Sequence, residues 1–100
     1  FQPHLYTRTL DFHKEFAQAL SIFDEVILTE IYPAREEPIP GVSSKLIYDN
    51  LAPGIDKQII RKDDVLEFVS RRDFDVLLVL GAGNLDDYVP QITKLIKEKE

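Results

Sequence analysis

The chain has 100 residues, of which 44% are hydrophobic and 30% are charged, and its net charge is −6 at pH 7. This length fits one compact domain of ordinary globular composition. The acidic balance argues against nucleic acid and against an anionic membrane as partners, since both attract clustered Lys and Arg. The absence of cysteine excludes disulfides and thiolate metal sites. No apolar run is long enough for a membrane span, and no signal peptide is recognisable, so a soluble protein is expected.

The first residues indicate a piece of a longer protein. The chain begins with Phe1 and contains no methionine, so translation is not expected to start there. We therefore interpret residues 1–100 as a single domain excised from a longer chain. Its first strand is expected to be truncated, with only Phe1 and Gln2 remaining.

Helix and strand patterns alternate in the first half. Apolar side chains at helical spacing predict a helix over residues 10–23, and residues 26–31 are typical of a strand. A polar loop with three prolines follows over residues 32–42. A short helix is expected over residues 43–51, and one of its first two serines can cap it.

The second half continues the alternation. Residues 58–60 are expected to form a short strand, and a helix begins near residue 63. Residues 75–80 are predicted to form a strand, because the continuous apolar run from Val76 to Leu80 is typical of a strand covered on both faces. The last helix follows residue 83. Pro90 should kink it or delay its start, because proline cannot donate the helical hydrogen bond.

Strands that alternate with helices form βαβ units with right-handed crossovers. The sequence therefore predicts an α/β fold with a mainly parallel, Rossmann-like sheet flanked by helices. Ligands bind such sheets beyond the carboxyl ends of the strands, here expected at residues 3–8, 32–37, 61 and 81–84. Six residues are expected in the core: Phe12, Phe16, Leu20, Leu28, Val79 and Leu80.

Arg8 is the main candidate for binding. A guanidinium beyond a strand end can hold a carboxylate or phosphate through two hydrogen bonds, with free N–H groups of a helix start nearby. The alternative is a solvated surface arginine. His4 is a candidate proton donor or phosphate contact, although a lone histidine is more often structural. Arg35 with Glu36 or Glu37 forms either a site pair or, in the favoured interpretation, exposed charge.

The turn Gly81-Ala82-Gly83 joins the apolar run to the last helix. Glycines there allow a backbone to approach a ligand closely. The dinucleotide-binding fingerprint is incomplete because Asp86 stands at its third glycine, so an ordinary strand-to-helix turn is an equal alternative. The sequence has no phosphate loop and no nucleophile–base pair. No catalytic residue and no metal site are therefore predicted for the chain itself.

Several short motifs resemble those of a known family. They are FQPHLYTRT at residues 1–9, IYPARE at 31–36, PGVSS at 40–44 and GAGN at 81–84. In this order, over nearly all 100 residues, they resemble the C-terminal domain of the Mur ligases of bacterial peptidoglycan synthesis. Among these they are most similar to the ligases that join L-alanine to UDP-N-acetylmuramate. A sister ligase that recycles a murein tripeptide shares the fold but lacks the opening motif.

The resemblance implies that the chain is one domain of a cytoplasmic bacterial enzyme that has three domains. The N-terminal domain would hold the UDP-sugar, and the central domain would bind ATP and Mg²⁺. Neither ATP nor Mg²⁺ is therefore expected on this chain alone. The C-terminal domain would close over both and bring in L-alanine. The implied substrate-binding residues are Arg8 for the alanine carboxylate, Gly81, Ala82 and Gly83 lining the pocket, and His4 and Tyr6 flanking it.

This chain departs from the family pattern at two positions. Many relatives carry a second arginine where it has Leu5, and an aspartate where it has Asn84. Outside the family, the alternatives are a non-catalytic small-molecule-binding or regulatory α/β module and a pure interaction domain. A receiver domain is disfavoured because the strand ends lack an acidic phosphoacceptor.

Overall fold

A computed structural model describes residues 1–81 and 85–99. Its helices and strands alternate as predicted from residue 6 to residue 70, and two 3-10 turns, Lys62–Asp64 and Leu85–Tyr88, precede the last two helices. The elements are α1 (Tyr6–Leu20), β1 (Glu25–Leu28), α2 (Lys45–Asn50), β2 (Asp56–Ile59), α3 (Val65–Ser70) and α4 (Val89–Lys99). Strands β1 and β2 pair in parallel, from Glu25 opposite Asp56 to Leu28 opposite Ile59. The predicted α/β class with a parallel sheet and flanking helices is confirmed.

Residues 1–5, here called the N-terminal segment, extend this sheet beyond β1. On one side the amide of Thr29 donates to the Phe1 carbonyl over 3.1 Å, and the amide of Tyr32 donates to the Pro3 carbonyl over 2.8 Å. On the other side the Gln2 amide donates to the Leu80 carbonyl over 3.0 Å. The order across the molecule is therefore β2, β1, the N-terminal segment and then Leu80.

The predicted strand over residues 75–80 is wrong. These residues are not assigned to a strand, and within the described chain their backbone pairing is confined to Leu80. Among the described residues, the N-terminal segment pairs with Leu80 and Gly81, and residues 75–79 have no strand beside them. An open cavity of about 590 Å³ lies there instead, between β1 and the apolar run. Val76 and Leu78 are consequently 77% and 53% exposed, although their pattern is that of a covered strand.

The core prediction is confirmed in part. Leu20 and Leu28 are buried, whereas Phe12 and Leu80 are 50% and 40% exposed, so these last two assignments are wrong. Phe16 and Val79 are half-buried. The main core joins α1, α2 and β1 and consists of Ala17, Leu20, Val26, Leu28, Ile47 and Leu51. A second cluster joins α3 to α4 through Val65, Val69 and Ile92.

The helix boundaries follow local chemistry. Pro90 is the second residue of α4, a position where a helical amide has no partner to lose, and a 3-10 turn fills the preceding residues. The predicted delay of this helix is therefore confirmed. At α2 the Lys45 amide donates to the Ser43 hydroxyl over 3.2 Å. The Ser44 hydroxyl instead donates to the Thr29 carbonyl, which ties α2 to the end of β1.

The amino group of Phe1 gives the first testable prediction. It donates to the Ile27 carbonyl over 2.7 Å, and burial lowers its pKa from 8.0 to about 6. Between these values the unfolded chain binds more protons than the folded one, so stability rises with pH. For the 100-residue chain we expect the free energy of unfolding to increase by about 2 kcal/mol from pH 6 to pH 8. Urea denaturation across this range measures it.

The matched control is the same chain acetylated at Phe1. Acetylation removes the titrating group and keeps an N–H donor for the Ile27 carbonyl. The acetylated chain should lose most of this pH dependence. An equal slope in both forms would show that another group is responsible.

Candidate functional site

Two of the predicted strand ends, residues 3–8 and residues 32–37, lie next to each other in the structure. His4 and Tyr32 form a parallel bridge, and their rings are stacked with centroids 5.8 Å apart and planes 16° from parallel. The Leu5 amide donates to the Tyr32 carbonyl over 2.8 Å. Residues 3–8 and 32–37 therefore come together at one edge, as expected for the carboxyl ends of neighbouring parallel strands.

Glu36 binds the start of α1 directly. Its Oε1 accepts the Tyr6 amide over 2.5 Å and the Thr7 amide over 3.2 Å, and its Oε2 accepts the Thr7 hydroxyl over 2.6 Å. The helix-start N–H groups that were expected to be free for a ligand are therefore occupied. The interpretation of Glu36 as merely exposed charge is also wrong, since the residue is half-buried and bonded.

Hydrogen bonding and charge both favour the ionised form of Glu36. The Thr7 hydroxyl is the largest cause that lowers the pKa of this carboxyl, partly opposed by desolvation. The Thr7 and Tyr6 amides and nearby His4 lower it further. A carboxylate also complements the positive end of the α1 dipole. Because the folded-state pKa is lowered, the contact stabilises the fold above the ordinary carboxyl pKa and is lost on acidification through the folded value.

Backbone strain lies on both sides of this contact. Leu5 has φ 69° and Ala34 has φ 52°, and these are the described non-glycine residues with positive φ. Such conformations cost on the order of 1–3 kcal/mol each and persist where surrounding contacts enforce them. Leu5 precedes α1 but offers no side-chain cap, and its carbonyl accepts from the buried Thr9 hydroxyl over 2.8 Å. The start of α1 is thus held by residues other than its own cap.

Arg8 lies in the first turn of α1, directly after Thr7. Its side chain is exposed, and it makes no ion pair or hydrogen bond with the residues that the structure describes. His4 and Tyr6 are half-buried on either side of Leu5. Three of the predicted site residues therefore lie near the contact between Glu36 and α1, and Arg8 is the cation among them that remains available.

Gly81 lies on the other side of the N-terminal segment. It forms a parallel bridge with Gln2. A Cβ at Gly81 would lie 2.9 Å from the Gln2 carbonyl oxygen and 3.2 Å from the Gln2 Cβ, so the two backbones approach more closely than a side chain allows. Ala82 and Gly83, the other predicted pocket residues of this turn, lie outside the described residues, as does Asn84.

The close approach at Gly81 gives a second prediction. Gly81→Ala in the 100-residue chain should lower the free energy of unfolding by about 1–3 kcal/mol, because the added methyl group overlaps Gln2. Gly54→Ala is the control: Gly54 has φ 87° and nothing lies within 4 Å of its Cβ position, so only backbone strain of about 1 kcal/mol is expected. Urea denaturation measures both. A larger loss for Gly54→Ala would contradict the steric argument.

Two further features bear on the site. Among residues 1–81 and 85–99, no group of three or more His, Asp or Glu side chains could hold a metal ion. None of the helices in this described part of the chain is long and apolar enough to cross a bilayer.

Glu36 is a residue whose contact with α1 the sequence reasoning missed, since that reasoning considered Glu36 only beside Arg35 or as exposed charge. It lies 29 residues beyond Thr7, so no local spacing connects the two. The available signal was the predicted meeting of residues 3–8 and 32–37 at one edge of the sheet. An acidic side chain at one of these ends and an uncapped helix start at the other form a complementary pair.

The chain has a parallel α/β fold in which polar residues gather at the strand ends, the place where domains of this class bind ligands. No family model matches the chain. It is 62% identical over 99 residues to the UDP-N-acetylmuramate–L-alanine ligase of Phocaeicola vulgatus, covering 99% of this chain and 22% of that protein. The ligases of the same name from Parabacteroides distasonis and Cytophaga hutchinsonii are 50% identical over 97 residues and 43% over 99.

These two matches cover 96% and 99% of this chain, and 21% of each relative. The chain thus spans about a fifth of the length of the curated relatives it matches. The resemblance to the Mur ligases is confirmed over almost the whole chain.

Proposed function

We propose that this chain is the C-terminal domain of an ATP-dependent Mur ligase that joins L-alanine to UDP-N-acetylmuramate during peptidoglycan synthesis in the bacterial cytoplasm. The observation that carries the proposal is 62% identity over 99% of the chain to a ligase with this name. The site supports it, since an available arginine lies beyond a strand end, where a carboxylate ligand would bind.

In this reaction the chain would position the amino acid. Arg8 would hold the L-alanine carboxylate through two charge-assisted hydrogen bonds. This leaves the amine free to attack the activated carboxyl group of the UDP-sugar, and fixing both reactants lowers the entropic barrier. His4 and Tyr6 would flank the amino acid, and Gly81 with Ala82 and Gly83 would line its pocket. ATP, bound with Mg²⁺ mainly by a central domain, would supply the phosphoryl group that activates the carboxyl group.

The test uses the full-length protein that contains this chain. ADP release should require L-alanine and UDP-N-acetylmuramate together, and mass spectrometry should find the amide product. The 100-residue chain alone should turn over no ATP. A preference for a free tripeptide over L-alanine would favour the murein-recycling ligase. A full-length protein without any ligation would favour a regulatory module.

A further inference from the structure

We propose that Glu36 is a positioning residue for amino-acid binding: its carboxylate fixes the first turn of α1, so that Arg8 presents its guanidinium to the substrate carboxylate. This inference rests on the proposed function. Glu36 itself would touch neither the amino acid nor the nucleotides. It would act through Thr7 and Arg8.

The first step of the argument is the absence of a local cap. Helix N-termini usually carry Ser, Thr, Asp or Asn just before the first turn, and their side chains accept the first free amides. Here that position is Leu5, which forms no side-chain cap. The Tyr6 and Thr7 amides bind Glu36 instead. The geometry of the turn that carries Arg8 therefore depends on a loop about 30 residues away.

The second step is the geometry of the contact. Two carboxylate oxygens receive three hydrogen bonds, from two successive amides and one hydroxyl, so both the position and the rotation of the turn are fixed. Arg8 is the next residue. Its stem is long and flexible, and the positions that its guanidinium can reach depend on where the turn is held.

The third step concerns where a substrate carboxylate can bind. An exposed helix start attracts anions, and it would compete with Arg8 for the carboxylate of an amino acid. With Glu36 seated on these amides, that competing position is filled. The substrate carboxylate is directed to the guanidinium, and the free amine is held in one orientation.

The experiment is a double-mutant cycle in the full-length protein. Glu36→Ala should raise the KM for L-alanine about tenfold, which is the effect of one lost charge-assisted interaction, with the KM values for ATP and UDP-N-acetylmuramate changed less than about twofold. In an Arg8→Ala background the same substitution should add little, because residues that act as a unit are not additive. Glu36→Gln keeps an oxygen acceptor and should retain most of the affinity.

Glu37→Gln is the matched control. Glu37 is the next residue in the same loop, is exposed, and has no bonded partner in the described part of the chain. It should behave as the wild type. If Glu36→Ala does not fold, Thr7→Val, which removes only the hydroxyl contact, carries the same test.

Two results would overturn the proposal. A full tenfold effect of Glu36→Ala in the Arg8→Ala background would show a purely structural role. A lower KM for L-alanine in Glu36→Ala would show that Glu36 competes with the substrate for the helix start. If the wild type uses a different amino acid, the proposed substrate is wrong, and the cycle is run with that amino acid. If it ligates none, the proposed function fails, and this inference fails with it.

Discussion

Arg8→Ala in the full-length protein should raise the KM for L-alanine about thirtyfold or more. Removing one partner of a charge pair enclosed with its ligand costs on the order of 2–5 kcal/mol, and 2 kcal/mol corresponds to about thirtyfold in affinity. Arg8→Lys should recover little of this, because an ammonium group cannot form the planar two-pronged contact of a guanidinium. Steady-state kinetics with L-alanine varied at saturating ATP and UDP-sugar measure both variants.

The control for Arg8 is Arg71→Ala. Arg71 follows α3, is exposed, and pairs with Glu67 over 2.6 Å, away from the predicted strand ends. Exposed pairs of this kind contribute little, so the substitution should leave all three KM values unchanged. If Arg8→Ala instead raised the KM for ATP and left that for L-alanine unchanged, Arg8 would be a phosphate ligand and its assignment to the amino-acid carboxylate would be wrong.

Leu28→Ala should give the largest loss of stability. Leu28 is completely buried in the core between α1, α2 and β1, and a leucine truncated at such a position leaves a cavity. The expected loss in the 100-residue chain is about 2–5 kcal/mol. Phe12→Ala removes a larger side chain but should cost only about 1 kcal/mol, because Phe12 is 50% exposed and its aromatic contact is with half-buried Phe16.

This comparison tests whether the loss of stability follows the burial of a side chain or only its hydrophobicity, since the sequence pattern alone assigns both residues to the core. Urea denaturation of the two variants, fitted with a shared m value, gives their free energies of unfolding. Equal losses would mean that Phe12 is covered in solution by a part of the fold that the structure leaves open.

The elements that local chemistry determines were predictable from the sequence. Helical periodicity located α1 to within four residues at its start, and Pro90 marked the delayed start of α4. The position of the first strand also followed, because Phe1 and Gln2 precede a helix that leads to a parallel strand. What determines each of these features lies within a few residues of it.

The elements that depend on contacts with distant parts of the chain were not predictable in the same way. Residues 75–80 have the composition of a buried strand, but a strand exists only where another backbone pairs with it, and the N-terminal segment reaches it only at Leu80. The contact of Glu36 with Thr7 also depends on the fold, since it joins a loop to the start of a helix 29 residues away in the sequence. At the site, sequence pattern gave the residue types near Arg8 but could not give their bonding partners.

The position of the N-terminal segment has a consequence for how the chain acquires its structure. Gln2 pairs with Gly81, so closing this contact brings together two backbones about 80 residues apart in sequence. Contacts of such separation form slowly, because the entropy of the intervening chain must be lost before they contribute. On the ribosome, residues 1–5 emerge before residue 81, so they cannot complete their pairing until residue 81 has left the exit tunnel. The unit formed by α1, β1 and α2 can assemble in the meantime, so the pairing of Gln2 with Gly81 is completed last.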